Sequence, residues 1–229
     1  MKIITRILAV ALPIGLGLAG YYLLTMLALS TAPPTEEKNT PQKTPKDELA
    51  LSKAQQARLY ELLKQGKPGR SLVLFVDYRK PSYQKRLFVL DSSCLDSSGR
   101  FVRYLHRGYA AHGEGGTSTE ARPTFSNTPD SWCSSYGAFR VAEFYTTSKG
   151  DPAFRLDGLD ESNSNIRRRG IVLHPRIEVD YYERHIPKDR YIPHGIRISQ
   201  GCVVTTHAYF ELIKAYIDQS YSVHGLIDG

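Results

Sequence analysis

The chain has 229 residues, of which 41% are hydrophobic, and it carries 15 Tyr and 8 Phe, a composition that supports a buried core and argues against disorder over most of its length. The net charge of +7 is mild, and no zinc-finger or Gly-Phe-rich RNA-binding signature accompanies it, so nucleic acid is not an expected partner. No two of Cys94, Cys133 and Cys202 fall at Cys-x-x-Cys spacing, so no structural zinc site is expected either.

The first element is apolar. Ile7 to Leu29 contains no charged residue and, at about 1.5 Å per residue, is long enough to cross a bilayer of roughly 30 Å. Lys2 and Arg6 precede it, which predicts that the chain after Leu29 lies outside the cytoplasm. Residues 1–30 therefore read as a membrane anchor or signal segment. The length favours the anchor, since a signal peptide's apolar core usually spans only about 7–15 residues, although Ser30-Thr31-Ala32 offers small residues for cleavage. Either reading makes the rest periplasmic or otherwise extracytoplasmic. Residues 31–46, rich in Pro, Thr, Glu and Lys, read as a flexible linker. Residues 1–46 carry +3 of the net charge, which leaves +4 for the remainder, a surplus that suits solubility first and an anionic polymer or membrane surface second.

A helix is predicted over residues 47–66. Thr44 would cap it, Pro45 suits its first turn, and Leu49, Ala50, Ala54, Ala57, Leu59, Leu62 and Leu63 recur at helical spacing before Gly66 and Pro68 end it. From Ser71 the texture changes to short strand-like runs: Ser71 to Tyr78, Arg86 to Asp91, Arg100 to Ala111, Gly137 to Tyr145, Phe154 to Leu159 and Gly170 to His174. Ser97-Ser98-Gly99 supplies turn chemistry for a hairpin between the second and third runs. One later helix, Thr206 to Asp218, shows its apolar face at Tyr209, Leu212, Ile213, Tyr216 and Ile217. The expected architecture is mainly β with flanking helices (α+β), as one domain over residues 71–229.

The densest chemistry lies in Arg197-Ile-Ser-Gln-Gly-Cys-Val-Val204. Glycine immediately before a cysteine permits a tight turn, and amides at such a turn can converge on a developing oxyanion. A cysteine there can attack a carbonyl if a base is near; the competing reading is a small buried apolar side chain. His174, closing the apolar run Gly170-Ile-Val-Leu173, is the candidate base, against the alternative of a satisfied core histidine. Their separation of 28 positions in the sequence means that only the fold could bring the two together.

Ser199-x-Gly201-Cys202 preceded by a strand-end His resembles the signature of the YkuD-like L,D-transpeptidases. The likeness continues in order through Asp77 to Ser82, Arg86 to Asp91, Ala111-His-Gly113, Phe125-Ser-Asn127, Ser134-Ser-Tyr-Gly137, Gly158-Leu159 and Asn163 to His174, covering roughly residues 72–218. The chain departs from that pattern at Pro175-Arg176, where the family reads Gly-Ala, at Ile198, which separates Arg197 from Ser199, and at Val203, where the family has Pro.

The resemblance implies a YkuD-like β-sandwich or barrel and acyl transfer on peptidoglycan stem peptides, with no metal and no organic cofactor. Cys202 would be the nucleophile and His174 its base. Gly201 and Cys202 amides would hold the oxyanion, and Ser199 would either orient the imidazole or shape the turn. Candidate substrate contacts are His112, Asn127, Ser135, Tyr145 and Arg197, with a strand-end structural role as the alternative for His112. The basic run Arg167 to Arg169 reads as a carboxylate contact or a solvated loop. The alternatives in function are an L,D-carboxypeptidase or endopeptidase on the same site, and a catalytically silent wall-binding module. The domain is expected to act as a monomer attached to the membrane by its N-terminal segment. If the fold brings Cys94 and Cys133 together, an oxidising compartment would pair them and leave Cys202 as the free thiol; the sequence leaves that pairing open.

Overall fold

The computed structural model describes residues 49–185 and 197–229. The predicted membrane segment, the linker and the Thr44 helix start lie outside the described residues. Among those described, no helix is long and apolar enough to cross a membrane.

Helix α1 (Lys53–Gln65) begins later than its apolar spacing suggested. Ser52 caps it: its Oγ accepts from the Gln55 amide at 3.2 Å, and the Gln55 side chain accepts from the Ser52 amide at 2.8 Å. This reciprocal box satisfies two amides that have no partner within the helix, so the helix starts here and Leu49 to Leu51 stay outside it. At the far end Lys64 lies in the last turn, where a cation suits the dipole.

Strand β1 (Ser71–Asp77) is buried along its whole length because both faces are covered. Leu72, Leu74 and Val76 enter one core and Val73 and Phe75 enter another. Strand β2 (Leu87–Leu90) repeats the division, with Leu87 and Val89 on one side and Phe88 and Leu90 on the other. This two-sided burial explains why these segments read as continuous apolar runs instead of alternating ones. The second core is closed by Leu59, Leu62 and Leu63 of α1, each contributing about 2 kcal/mol by leaving water.

The remaining strands are β3 (His106–Gly108), β4 (His112–Gly113), β5 (Gly137–Thr146), β6 (Pro152–Gly158), β7 (Val172–Pro175), β8 (Arg197–Ser199), β9 (Val203–Thr205) and β10 (Ser222–Asp228). Helix α2 (Ile177–His185) follows β7, and helix α3 (His207–Asp218), capped by Thr206, follows β9. The main sheet has the order β3-β2-β1-β10-β5-β6-β7-β9, with β1/β10 and β7/β9 parallel. Ala111, three residues beyond edge strand β3, bridges to Val204 in the opposite edge strand β9, with N–H to O at 2.8 Å. The two edges are thereby drawn together and the sheet is nearly closed. Phe210 and Ile213 of α3 fill the main core.

Besides the late start of α1, other features depart from the sequence reading. The run Arg100 to Ala111 yields only the three residues of β3. Ahead of it a short 3₁₀ turn at Ser92–Cys94 and a bridge between Leu95 and Phe101 take up the chain. The turn at Ser97-Ser98-Gly99 closes that small bridge, and the Asp96 carboxylate accepts from the Ser98 and Arg100 amides. Strands β8, β9 and β10 and helix α2 are further departures, which periodicity did not signal.

Candidate active site

Strands β7 and β9 build the site. Their parallel register pairs Leu173 with Val203 and His174 with Val204. Leu173 and Val203 point into the main core. Alternation turns His174 and Val204 to the opposite face, where Val204 packs with Tyr109, Ala111 and Val179, and Cys202 lies against that cluster. Cys202 immediately precedes β9, so the same register sets it beside Val172, whose backbone N–H is directed at the sulfur. His174 is then one diagonal step away, on the order of 8 Å between Cα atoms from strand spacing and rise.

The turn that presents Cys202 is held by its own neighbours. Gly201 has φ +108°, a conformation that side-chain-bearing residues rarely adopt. Ser199 is buried. Its hydroxyl accepts from the Gly201 amide at 3.2 Å and donates to the Cys202 carbonyl at 3.0 Å. Of the two roles open to Ser199, the structure therefore gives it the turn. The Gly201 amide is engaged by that hydroxyl, so it is not a free oxyanion donor.

His174 is half-buried, and its Nδ1 lies 3.1 Å from the Pro175 carbonyl. A carbonyl only accepts, so Nδ1 carries the proton and the Nε2 lone pair is the basic one. Burial pushes the His174 pKa below the ordinary imidazole value, and the Arg176 charge adds to this, while the Pro175 contact, Asp151 and Glu178 act against it. The Cys202 thiol is pushed up by burial, opposed by the Val172 N–H and the charges of Arg169 and Arg176. Both groups therefore favour their neutral forms near neutrality. That suits proton transfer on attack more than a standing thiolate–imidazolium pair.

Several expected contacts lie elsewhere. His112 is fully buried, 2.6 Å from the Arg86 guanidinium and 2.9 Å from the Thr119 carbonyl, so its ring ties β4 to the interior and does not line a pocket. Arg86, also fully buried, donates to the carbonyls of Ala110, Lys80 and Ala121 and stacks on Tyr78. The Asn127 amide is used up within the protein. It donates to the Glu161 carbonyl and Ser164 hydroxyl and accepts from the Asn165 amide, each at 3.0 Å, fastening two loops together. Ser135 is fully buried and accepts from Arg169 at 3.0 Å, so it supports the site from within. Tyr145, on β5, lies under the Arg155 guanidinium, 4.3 Å from its ring centroid. The Arg197 backbone pairs with His112 in the β4/β8 ribbon, and its side chain lies outside the described residues.

The pairing of Cys94 and Cys133 that the sequence left open does not occur: all three cysteines are free. Cys94 is packed in the outer core with α1, its thiol raised to about 11 mainly by burial. Cys133 sits in the loop beneath Gly201.

Sequence reasoning undervalued two arginines. Arg169 lies under the Cys202 turn, and Arg176, exposed, donates to the Ile198 carbonyl at 3.0 Å beside β8. A run of three arginines does not reveal which one turns inward; that depends on where loop 126–135 supplies acceptors. Among the described residues, no cluster of three or more His, Cys, Asp and Glu side chains is placed to hold a metal.

A mainly β, nearly closed sheet with a cysteine turn and a strand histidine on one face has the architecture of the YkuD-like proteins. The family model described as the L,D-transpeptidase catalytic domain matches residues 44–224, and the chain belongs to that family, which acts on peptidoglycan stem peptides. No curated protein gives a significant match. Among solved structures, an L,D-transpeptidase from Xylanimonas cellulosilytica DSM 15894 is similar at 14% identity and a TM-score of 0.39. The match covers 69% of this chain and 61% of that one, so this chain spans less than two thirds of the length of that structure.

Proposed function

We propose that this protein is a peptidoglycan L,D-transpeptidase in which Cys202 is the acylated nucleophile and His174 its base. The observation that carries the reading is the β7/β9 register, which supports a shared face for the two side chains on adjacent parallel strands. The sulfur attacks the carbonyl between the third and fourth stem residues, and His174 takes the thiol proton. The C–N bond breaks, the proton passes to the leaving D-Ala amine, and a thioester remains. The side-chain amine of a diamino acid on a neighbouring stem then attacks the thioester, giving its proton to His174, and the sulfur leaves and is reprotonated. The Cys202 amide is the oxyanion donor in this scheme, since Gly201's is held by Ser199.

The test is incubation of the purified protein with muropeptides and mass spectrometry of the products. Loss of D-Ala with formation of a cross-linked dimer is expected, and loss of D-Ala with water uptake would make the protein a carboxypeptidase on the same site. Cys202→Ala should remain folded and abolish turnover. Near-wild-type turnover by a folded Cys202→Ala protein would remove the assignment.

The catalytic part works outside the cytoplasm, on an N-terminal membrane anchor. This rests on Lys2 and Arg6 ahead of the uncharged stretch Ile7 to Leu29. A reporter fused after Gly229 should be active only outside the cytoplasm; activity inside would contradict both the topology and the substrate.

A further inference from the structure

We propose that Arg169 is a positioning residue for the nucleophile, its guanidinium clamping loop 126–135 under the Gly201–Cys202 turn and setting a positive charge against the sulfur. The inference rests on the reading of Cys202 as the nucleophile.

The three consecutive arginines before β7 behave differently. Arg167 is exposed and bonded to Glu143 and Asp157. Arg168 is exposed. Arg169 is turned inward, immediately before Gly170 (φ +67°) redirects the chain into the strand that carries His174. Its Nη1 donates to the Ser126 carbonyl and the Ser135 hydroxyl, and its Nη2 to the Ser131 hydroxyl at 3.3 Å and the Cys133 carbonyl at 2.6 Å. These four acceptors all belong to one loop and all are neutral. Among the described residues Arg169 has no carboxylate partner, and its buried Nε has no hydrogen-bond partner.

The guanidinium is also in contact with the turn. Arg169 Nη2 lies 3.2 Å from where a Cβ on Gly201 would stand, and the Cys133 carbonyl that it holds lies 2.4 Å from the same point. Loop, guanidinium and Gly201 are thus stacked without a gap, and the turn cannot shift toward the loop while the clamp is in place. A planar fork with several donors can tie down a loop in this way; an ammonium cannot.

The charge has a second consequence. A cation whose partners are all neutral is a stabilising neighbour for an anion. The groups electrically coupled to the Cys202 thiol are Arg169, Arg176 and the buried Tyr78 hydroxyl. Both arginines pull its pKa down against the effect of burial, with Arg169 ahead of the exposed Arg176. Burial pushes the Arg169 pKa below the ordinary guanidinium value, and Cys133 and Cys202 act against that shift.

The test compares Arg169→Met and Arg169→Lys with the wild type. The rate of Cys202 alkylation by iodoacetamide is followed against pH and read as the mass of the peptide carrying Cys202. Arg169→Met should move the alkylation midpoint up by about one pH unit, making alkylation at neutral pH about tenfold slower. Arg169→Lys should keep the midpoint close to wild type but lower acyl-transfer turnover about tenfold, because the loop is no longer held by a fork. A folded Arg169→Met protein with a wild-type alkylation profile would overturn the electrostatic role, and an Arg169→Lys protein with wild-type turnover would overturn the clamp. The alkylation readout is independent of the substrate. A shifted profile in a protein that makes no cross-linked product keeps Arg169's role and removes the proposed function, whereas product formation with an unmoved profile does the reverse.

Discussion

Gly201→Ala is the substitution whose cost the structure specifies most closely. The residue sits at φ +108°, and a Cβ there would stand 2.4 Å from the Cys133 carbonyl oxygen and 2.7 Å from Ile171 Cδ1. The backbone conformation alone costs a non-glycine residue about 1–2 kcal/mol. The clash adds more, because the carbonyl is fixed by Arg169 and cannot swing aside as the end of a flexible side chain would. Together these come to about 3–4 kcal/mol, or a fall in melting temperature of roughly 6–16 °C for a domain of this size. Gly170→Ala supplies the control: Gly170 has φ +67°, and a Cβ there would meet nothing within 4 Å, so only the backbone term applies. Thermal melts of both variants, followed by Cys202 alkylation of the folded proteins, should show Gly201→Ala losing clearly more stability and altering thiol reactivity. If it melts no lower than Gly170→Ala, the close packing of the turn against the Cys133 carbonyl is refuted.

Arg86→Met should destabilise the domain by about 3 kcal/mol or more, because the carbonyls of Ala110, Lys80 and Ala121 and the His112 ring lose their shared donor in the interior; an unchanged melting temperature would show that these groups find other partners. The pH dependence of stability follows from His174 and His224, which burial holds below the ordinary value of 6.5 in the folded protein. The unfolded chain therefore takes up protons first, and stability should be flat above that value, decline as the pH falls below it and level off once the folded-state histidines titrate. Urea midpoints at about pH 7.5 and about pH 5 measure this, and a higher midpoint at the acid end would contradict the burial of these rings.

What the sequence determines by itself is local. Apolar runs between Gly, Ser and Asn clusters specify β1, β2, β5, β6 and β7 to within a few residues, because strand period and turn chemistry are written in adjacent positions. The period of Tyr209, Ile213 and Tyr216 specifies α3 for the same reason, and the glycine before Cys202 marks a turn that needs the conformation only glycine readily adopts. Strand β10 is decided by tertiary structure: Val223, Leu226 and Ile227 become a central strand because β1 and β5 stand on either side to receive their hydrogen bonds. The start of α1 at Ser52 likewise follows a reciprocal cap that outweighed helical spacing upstream. At the site, residue type suggested substrate contact for His112, Asn127 and Ser135. The fold spends all three on internal hydrogen bonds, because Arg86, Asn165 and Arg169 reach them from distant parts of the chain. Cys94 and Cys133 share a sequence context of turns, but the sheet assigns one to the outer core behind α1 and the other to the loop under Gly201, which keeps them apart. Of three adjacent arginines, the one that turns inward is chosen by the carbonyls and hydroxyls of residues 126–135. A half-buried cation needs acceptors around it, and only the folded chain brings those acceptors to it.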